Sequence, residues 1–211
     1  MDLQNAIGSL PDSQSQLGRV NKYTAYALLG KVLLYQDKFN EAASALDNVI
    51  GVYSLVSDYG SQFLRFGENG PESVFEIQYS NQSNWYDWGC AHCSEGNYAI
   101  IMNGPRGWSG PEYAQGWSFN IPTEEFYNSF EEGDSRRDAT VLDIEAFAAA
   151  TGSSYTEGYD HTGYFNNKYI PRAGESGGQT ELNYLTNFRI IRYSDVLLMA
   201  AEAYNLSLIH I

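Results

Sequence analysis

Positive charge is scarce in this sequence: its 211 residues hold 12 Lys and Arg against 26 Asp and Glu, for a formal net charge of −14. Phosphate recognition needs clustered cations, so nucleic acid is excluded as a partner. Docking on anionic lipid through protein charge is excluded on the same ground. Cysteine and histidine are nearly missing, at two and three residues, which leaves too few ligands for a structural zinc. No apolar run is long enough to cross a bilayer, and the first residues do not read as a signal peptide. A G-x-S-x-G elbow, a Walker loop and a G-x-G-x-x-G fingerprint are absent, and no Ser/His/Asp set stands out. The chain therefore does not read as an enzyme, and no cofactor or metal is expected.

What the chain does have is a folded protein's hydrophobic fraction, 43%, and many aromatic residues, 15%, with 17 tyrosines. Its organising stretch is residues 20–50. There Tyr23, Tyr26, Ala27, Leu29, Gly30 and Leu33 recur at three- and four-residue steps, and Ala42, Ala45, Leu46 and Val49 repeat the pattern. Polar residues 36–40 between them predict a tight helix–helix connection, with Asn40 as the N-cap and Glu41 in the first turn of the second helix. Tyr26, Leu29-Gly30, Leu33, Ala42 and Leu46 fall in the register of a tetratricopeptide repeat. Small Gly30 and Ala42 let the two helix backbones approach closely. The predicted fold is all-α: tetratricopeptide-like hairpins with long irregular aromatic-rich loop insertions.

Along the rest of the chain, a short helix is expected over Leu3–Leu10, stopped by Pro11. The run Ser73–Ser80 alternates well enough for one strand after a Glu68-Asn69-Gly70-Pro71 turn. Residues 81–120 lose periodicity and read as an insertion. Thr123 caps a helix that carries Phe126, Tyr127 and Phe130 and stops at Gly133, and 139–150 is a short helix or strand. Residues 151–179 return to Gly- and Tyr-rich loop. The final helix is expected over 187–204, as the first helix of a further, truncated repeat. The whole, 1–211, reads as one domain and as an internal piece of a longer protein, with LSLIHI at 206–211 foreign to the pattern.

Four segments together resemble the SusD/RagB family: GRVNKYTAYALLGKVLLYQDKFNEAASALDNVI, ESVFEIQYS, IPTEEFYNSFEEGDSRRDA and NFRIIRYSDVLLMAAEAYN. The last is the most specific. The resemblance implies a cell-surface lipoprotein of the outer membrane. Such a protein binds an oligosaccharide or polysaccharide without cleaving it and delivers it to a SusC-like TonB-dependent transporter. Membrane attachment would come only from a lipid anchor, whose cysteine is not in this sequence.

Under that reading the ligand side is the 81–120 insertion, which holds all four tryptophans. Trp85, Tyr86, Trp88 and Trp108 are the candidate stacking rings. Asn84, Asp87, Asn103 and Arg106 are the candidate partners for sugar hydroxyls. The competing reading is that these rings make the insertion's own small core. Cys90 and Cys93, a single C-x-x-C, are expected to form a local disulfide on the cell surface. Carboxylates at Glu124, Glu125, Glu131, Glu132, Asp134 and Asp138 do not face one another across a bond as a glycosidase pair must, because adjacent helical residues point about 100° apart. Arg136 and Arg137 are expected to pair with them. A scaffold that binds protein partners through its helical face is the alternative function.

Overall fold

The structure, a computed structural model, describes residues 1–82, 88–176 and 182–208, without the side chains of Trp88, Ala91, His92 and Leu208. In chain order the helices are α1 (Asp2–Ser9), α2 (Lys22–Leu34), α3 (Phe39–Asp47), α4 (Ala99–Asn103), α5 (Glu124–Asn128), α6 (Arg136–Thr140), α7 (Ile144–Thr151) and α8 (Tyr193–Leu208). The strands are β1 (Ser73–Ile77), β2 (Arg106–Ser109), β3 (Val141–Asp143), β4 (Ser154–Thr156), β5 (Tyr164–Asn166) and β6 (Phe188–Arg192). Contacts divide the chain into two compact units. One holds Met1–Ser57, Glu68–Gln78 and Phe188–Ile211, the other Asp58–Gly67 and Tyr79–Asn187.

The first unit contains the helical hairpin. Ala42, Ala45, Leu46 and Val49 are buried, as their spacing requires. A Cβ added at Gly30 would lie 2.4 Å from Leu46 Cγ, so glycine is what allows α2 and α3 to approach. The hairpin's start is set by Asn21, whose side chain accepts from the Thr24 N–H at 2.9 Å. The expected cap at Asn40 is not formed: α3 begins at Phe39, two residues earlier than that cap implies, and Asn40 sits inside its first turn. α8 packs on both α2 and α3, and Val196, Ala200 and Ala203 supply its buried side. Leu206–Leu208 continue that helix rather than departing from it.

The expectation of an all-α chain needs correction. The described residues are helix-rich but also contain three two-stranded antiparallel ribbons, β1–β6, β2–β4 and β3–β5. The largest change concerns residues 188–192, expected as helix and found as β6. Burial there alternates, with Arg189 and Ile191 in and Phe188 and Ile190 out, the period of a strand. Glu76 of β1 lies opposite Arg189, and the two charged groups are 3.6 Å apart with side chains 1% and 3% exposed. A helical 187–192 would break this buried cross-strand pair.

In the second unit the core is Trp108, Tyr113, Leu142, Ile144, Phe165 and Ile170. A smaller cluster joins Ile100, Ile101 and Tyr184. Residues 139–150 turn out to be strand and helix in succession. β3 leads into α7, whose cap Asp143 accepts from the Ala146 N–H at 2.9 Å, and Gly152 ends α7 at φ 67°. Thr123 caps α5 as expected, at 3.1 Å from the Phe126 N–H, but α5 stops at Asn128, well before Gly133.

Candidate functional site

The second unit carries a cleft of about 770 Å³. Its floor is built where residues 116–119 run back along the end of α4. Gly116 N–H donates to Pro105 O, Trp117 N–H to Ile101 O, Ser118 N–H to Gly104 O (each 2.8 Å), and Phe119 N–H to Met102 O at 2.7 Å. This approach needs two glycines: a Cβ at Gly116 would sit 2.3 Å from Gly104 Cα, a backbone atom that cannot yield.

The opposite wall comes from residues 156–162, in the second Gly- and Tyr-rich loop. β2 pairs with β4, setting Arg106 opposite Thr156, and Thr162 Oγ1 donates to Pro122 O at 2.7 Å. Two loops some fifty positions apart in sequence are thus tied into one concavity.

Two rings stand open in it. Phe119 is 50% exposed and Tyr159 is 92% exposed. Both neighbours of Phe119 have left-handed backbones, Ser118 at φ 57° and Asn120 at φ 53°, and so does Asp160 next to Tyr159, at φ 55°. Of six described non-glycine residues with positive φ, these three line the cleft. Such conformations persist only where the surroundings enforce them, and they cluster at binding sites. Ser118 is held because its Oγ accepts the Arg106 N–H at 3.1 Å. Asn120 is held because its Nδ2 donates to Asn103 Oδ1 at 3.1 Å.

The residues singled out from sequence divide into three groups. Asn103 and Arg106 do belong to this site, but as supports. Asn103 is buried, and its Nδ2 donates to Ala99 O at 3.1 Å and Tyr169 O at 3.0 Å. Arg106 Nε donates to Trp117 O at 2.7 Å, and its guanidinium lies 5.8 Å from the Phe119 ring centroid. Trp108 is elsewhere. Strand β2 turns it inward, 9% exposed, edge-on to Tyr113 at 5.9 Å, so it presents no open face and belongs to the core. Asn84, Trp85, Tyr86 and Asp87 lie outside the described residues, and Trp88 is described only in its backbone, a 3-10 stretch over Trp88–Cys93. Cys90 and Cys93 of that stretch are bonded to each other. Phe119, Tyr159, Glu157 and Asp160 were not singled out. Their only sequence signal was position in Gly-rich loops.

Two of the six acids, Asp134 and Asp138, are engaged locally. Asp134 takes a forked contact from Arg136, with Nη2 at 2.6 Å and Nε at 2.9 Å, and that guanidinium holds its carboxyl down at about 2. Arg137 Nε meets Asp138 at 2.9 Å. Burial pushes the Tyr113 hydroxyl up to about 12, with Glu112 adding and Arg172 opposing. Among the described residues no group of three or more His, Cys, Asp and Glu is placed to hold a metal ion. The cleft can therefore offer flat rings and hydroxyl, amide and carboxylate groups to a polar, ring-shaped ligand.

Comparison with known proteins bears on this arrangement. The model of the SusD family matches residues 143–207. SusD-like protein P2 of Formosa agariphila is 31% identical over 220 residues, an alignment covering 97% of this chain and 41% of that protein. The structure of a laminarin-binding SusD-like protein superposes with a TM-score of 0.87 at 40% identity, over 96% of this chain and 48% of its own. Surface glycan-binding protein A from Bacteroides thetaiotaomicron, solved with laminarihexaose, also gives 0.87, at 31% identity and the same coverage. This chain thus spans about half the length, or less, of these relatives. Its helical hairpin, its β6–α8 segment and these matches agree: the chain belongs to the SusD/RagB family.

Proposed function

We propose that this chain forms the cleft-bearing part of a cell-surface glycan-binding protein, and that its ligand is a laminarin-type β-glucan. The observation that carries the reading is Phe119, held open between two left-handed residues in a polar cleft. A laminarin-binding relative at 40% identity and one solved with laminarihexaose at 31% support the choice of glycan. A pyranose presents one face of C–H groups, which stacks on an aromatic ring, while its rim of hydroxyls bonds amides, carboxylates and hydroxyls. Phe119 supplies the ring; Asn120, Thr156, Thr162 and Asp160 supply the rim partners. Trp85, Tyr86, Trp88, Asn84 and Asp87 remain proposed partners from the same insertion.

No bond is broken in this mechanism. The protein captures the oligosaccharide at the outer membrane, where a lipid anchor on the full-length protein holds it, and passes it to a SusC-like TonB-dependent transporter. Isothermal titration of the chain with laminarihexaose tests the first step. Saturable binding is expected; a folded protein that gives no binding heat and no change in tryptophan fluorescence sinks the reading.

A further inference from the structure

Three charged side chains line the cleft: Arg106, Glu157 and Asp160. Arg106, the one cation among the described lining residues, keeps its charge but is held on the floor, its Nε–H on the Trp117 carbonyl and its face on Phe119. The two acids are exposed, and neither makes an ion pair among the described residues. Glu157 also bears on Tyr155. Burial raises the Tyr155 hydroxyl, and Glu145, Glu157 and Asp143 each raise it further. A glycan bound here would put its ring substituents against two unneutralised carboxylates that still accept hydrogen bonds from hydroxyls.

We infer that Glu157 and Asp160 make the cleft selective for uncharged glycans, accepting hydroxyls while repelling polysaccharides that bear carboxylate or sulfate groups. This rests on the glycan-binding reading above and adds to it the chemical class that the site refuses. The physical basis is an asymmetry. A carboxylate is a strong acceptor for a neutral sugar hydroxyl, but two like charges brought into one partly desolvated cleft repel within a Debye length of about 8 Å. Because these acids project from the rim of the cleft, the repulsion is moderate and screened by salt: about tenfold in affinity for the two together.

The test uses one polymer in two charge states, laminarin and the same laminarin oxidised at C6 to a polyglucuronate. Each is titrated into the chain and into its Glu157→Gln/Asp160→Asn variant. Asparagine adopts the left-handed backbone of position 160 (φ 55°) as readily as aspartate does, and Glu157→Gln alone provides a second, milder variant. The chain should bind the oxidised polymer about tenfold more weakly than laminarin, and added salt should narrow that gap. The double variant should bring the ratio of the two affinities close to one, whatever it loses for laminarin itself as two acceptors of sugar hydroxyls become amides. Equal binding of both polymers by the unaltered chain overturns the inference, as does a double variant in which the ratio of the two affinities is unchanged. Failure of the unaltered chain to bind laminarin at all is a different result: it removes the glycan reading, and this inference with it.

Discussion

Replacing Phe119 by alanine should weaken glycan binding without unfolding the protein. An aromatic side chain covers roughly 150–250 Å² when fully buried. Phe119 is 50% exposed, so about 100 Å² of it is left for a sugar face to cover. At about 25 cal/mol per Å² that area corresponds to about 2.5 kcal/mol as an upper bound. A pyranose does not cover the whole ring, and ordering the ligand offsets part of the gain, which leaves about 1–2 kcal/mol, or roughly five- to thirtyfold in affinity. The backbone bond from Phe119 to Met102 survives the substitution, so the fold should hold. The paired control is Trp108→Phe. That indole is core, and its N–H has no acceptor among the described residues, so a smaller ring costs stability of about 1–2 kcal/mol through the space it leaves. It should leave affinity unchanged. Calorimetric titration with laminarihexaose, alongside urea unfolding, separates the two effects. The reasoning fails if Phe119→Ala binds within twofold of the unaltered chain, or if Trp108→Phe abolishes binding while remaining folded.

Two further outcomes follow from buried groups. Glu76→Gln removes the carboxylate that lies 3.6 Å from the Arg189 guanidinium, with both side chains almost fully buried. It should lower unfolding stability by about 1.5–3 kcal/mol, the worth of a buried interaction with a charged group; a urea midpoint unmoved by Glu76→Gln would show that the pair carries no such weight. Tyr113 should ionise at about 12 instead of 10.0. Because folding raises this value, its contribution to stability is complete below the unfolded value and disappears as pH rises through the folded one. An ultraviolet titration compared with that of Tyr113→Phe reads it directly, and a difference curve centred near 10 would contradict it.

Legibility from sequence followed the range of the interactions. The hairpin was readable because its determinants are local. Residues three and four apart share a face, Gly30 and Ala42 sit where two backbones meet, and Thr123 caps the helix it begins. The charge balance and the missing motifs narrowed the function in the same direct way, since they need no folding to count. Residues 188–192 were not readable, because their state depends on Glu76 and the rest of β1, more than a hundred positions away.

The site shows the same division at finer scale. That residues 81–120 are rich in Gly and aromatic residues is a property of composition. Which ring opens is not. Trp108 and Phe119 look alike on paper, each flanked by small polar or glycine neighbours. The strand pairing of β2 turns one inward, and two left-handed residues hold the other out. The wall carrying Glu157, Tyr159 and Asp160 joins the cleft only through the β2–β4 ribbon and the Thr162–Pro122 bond. Sequence by itself determined the helical hairpin, the acidic, motif-poor character and the family. Tertiary structure alone decided which side chains open into the cleft, because exposure is set by contacts between distant segments and not by a residue's neighbours along the chain.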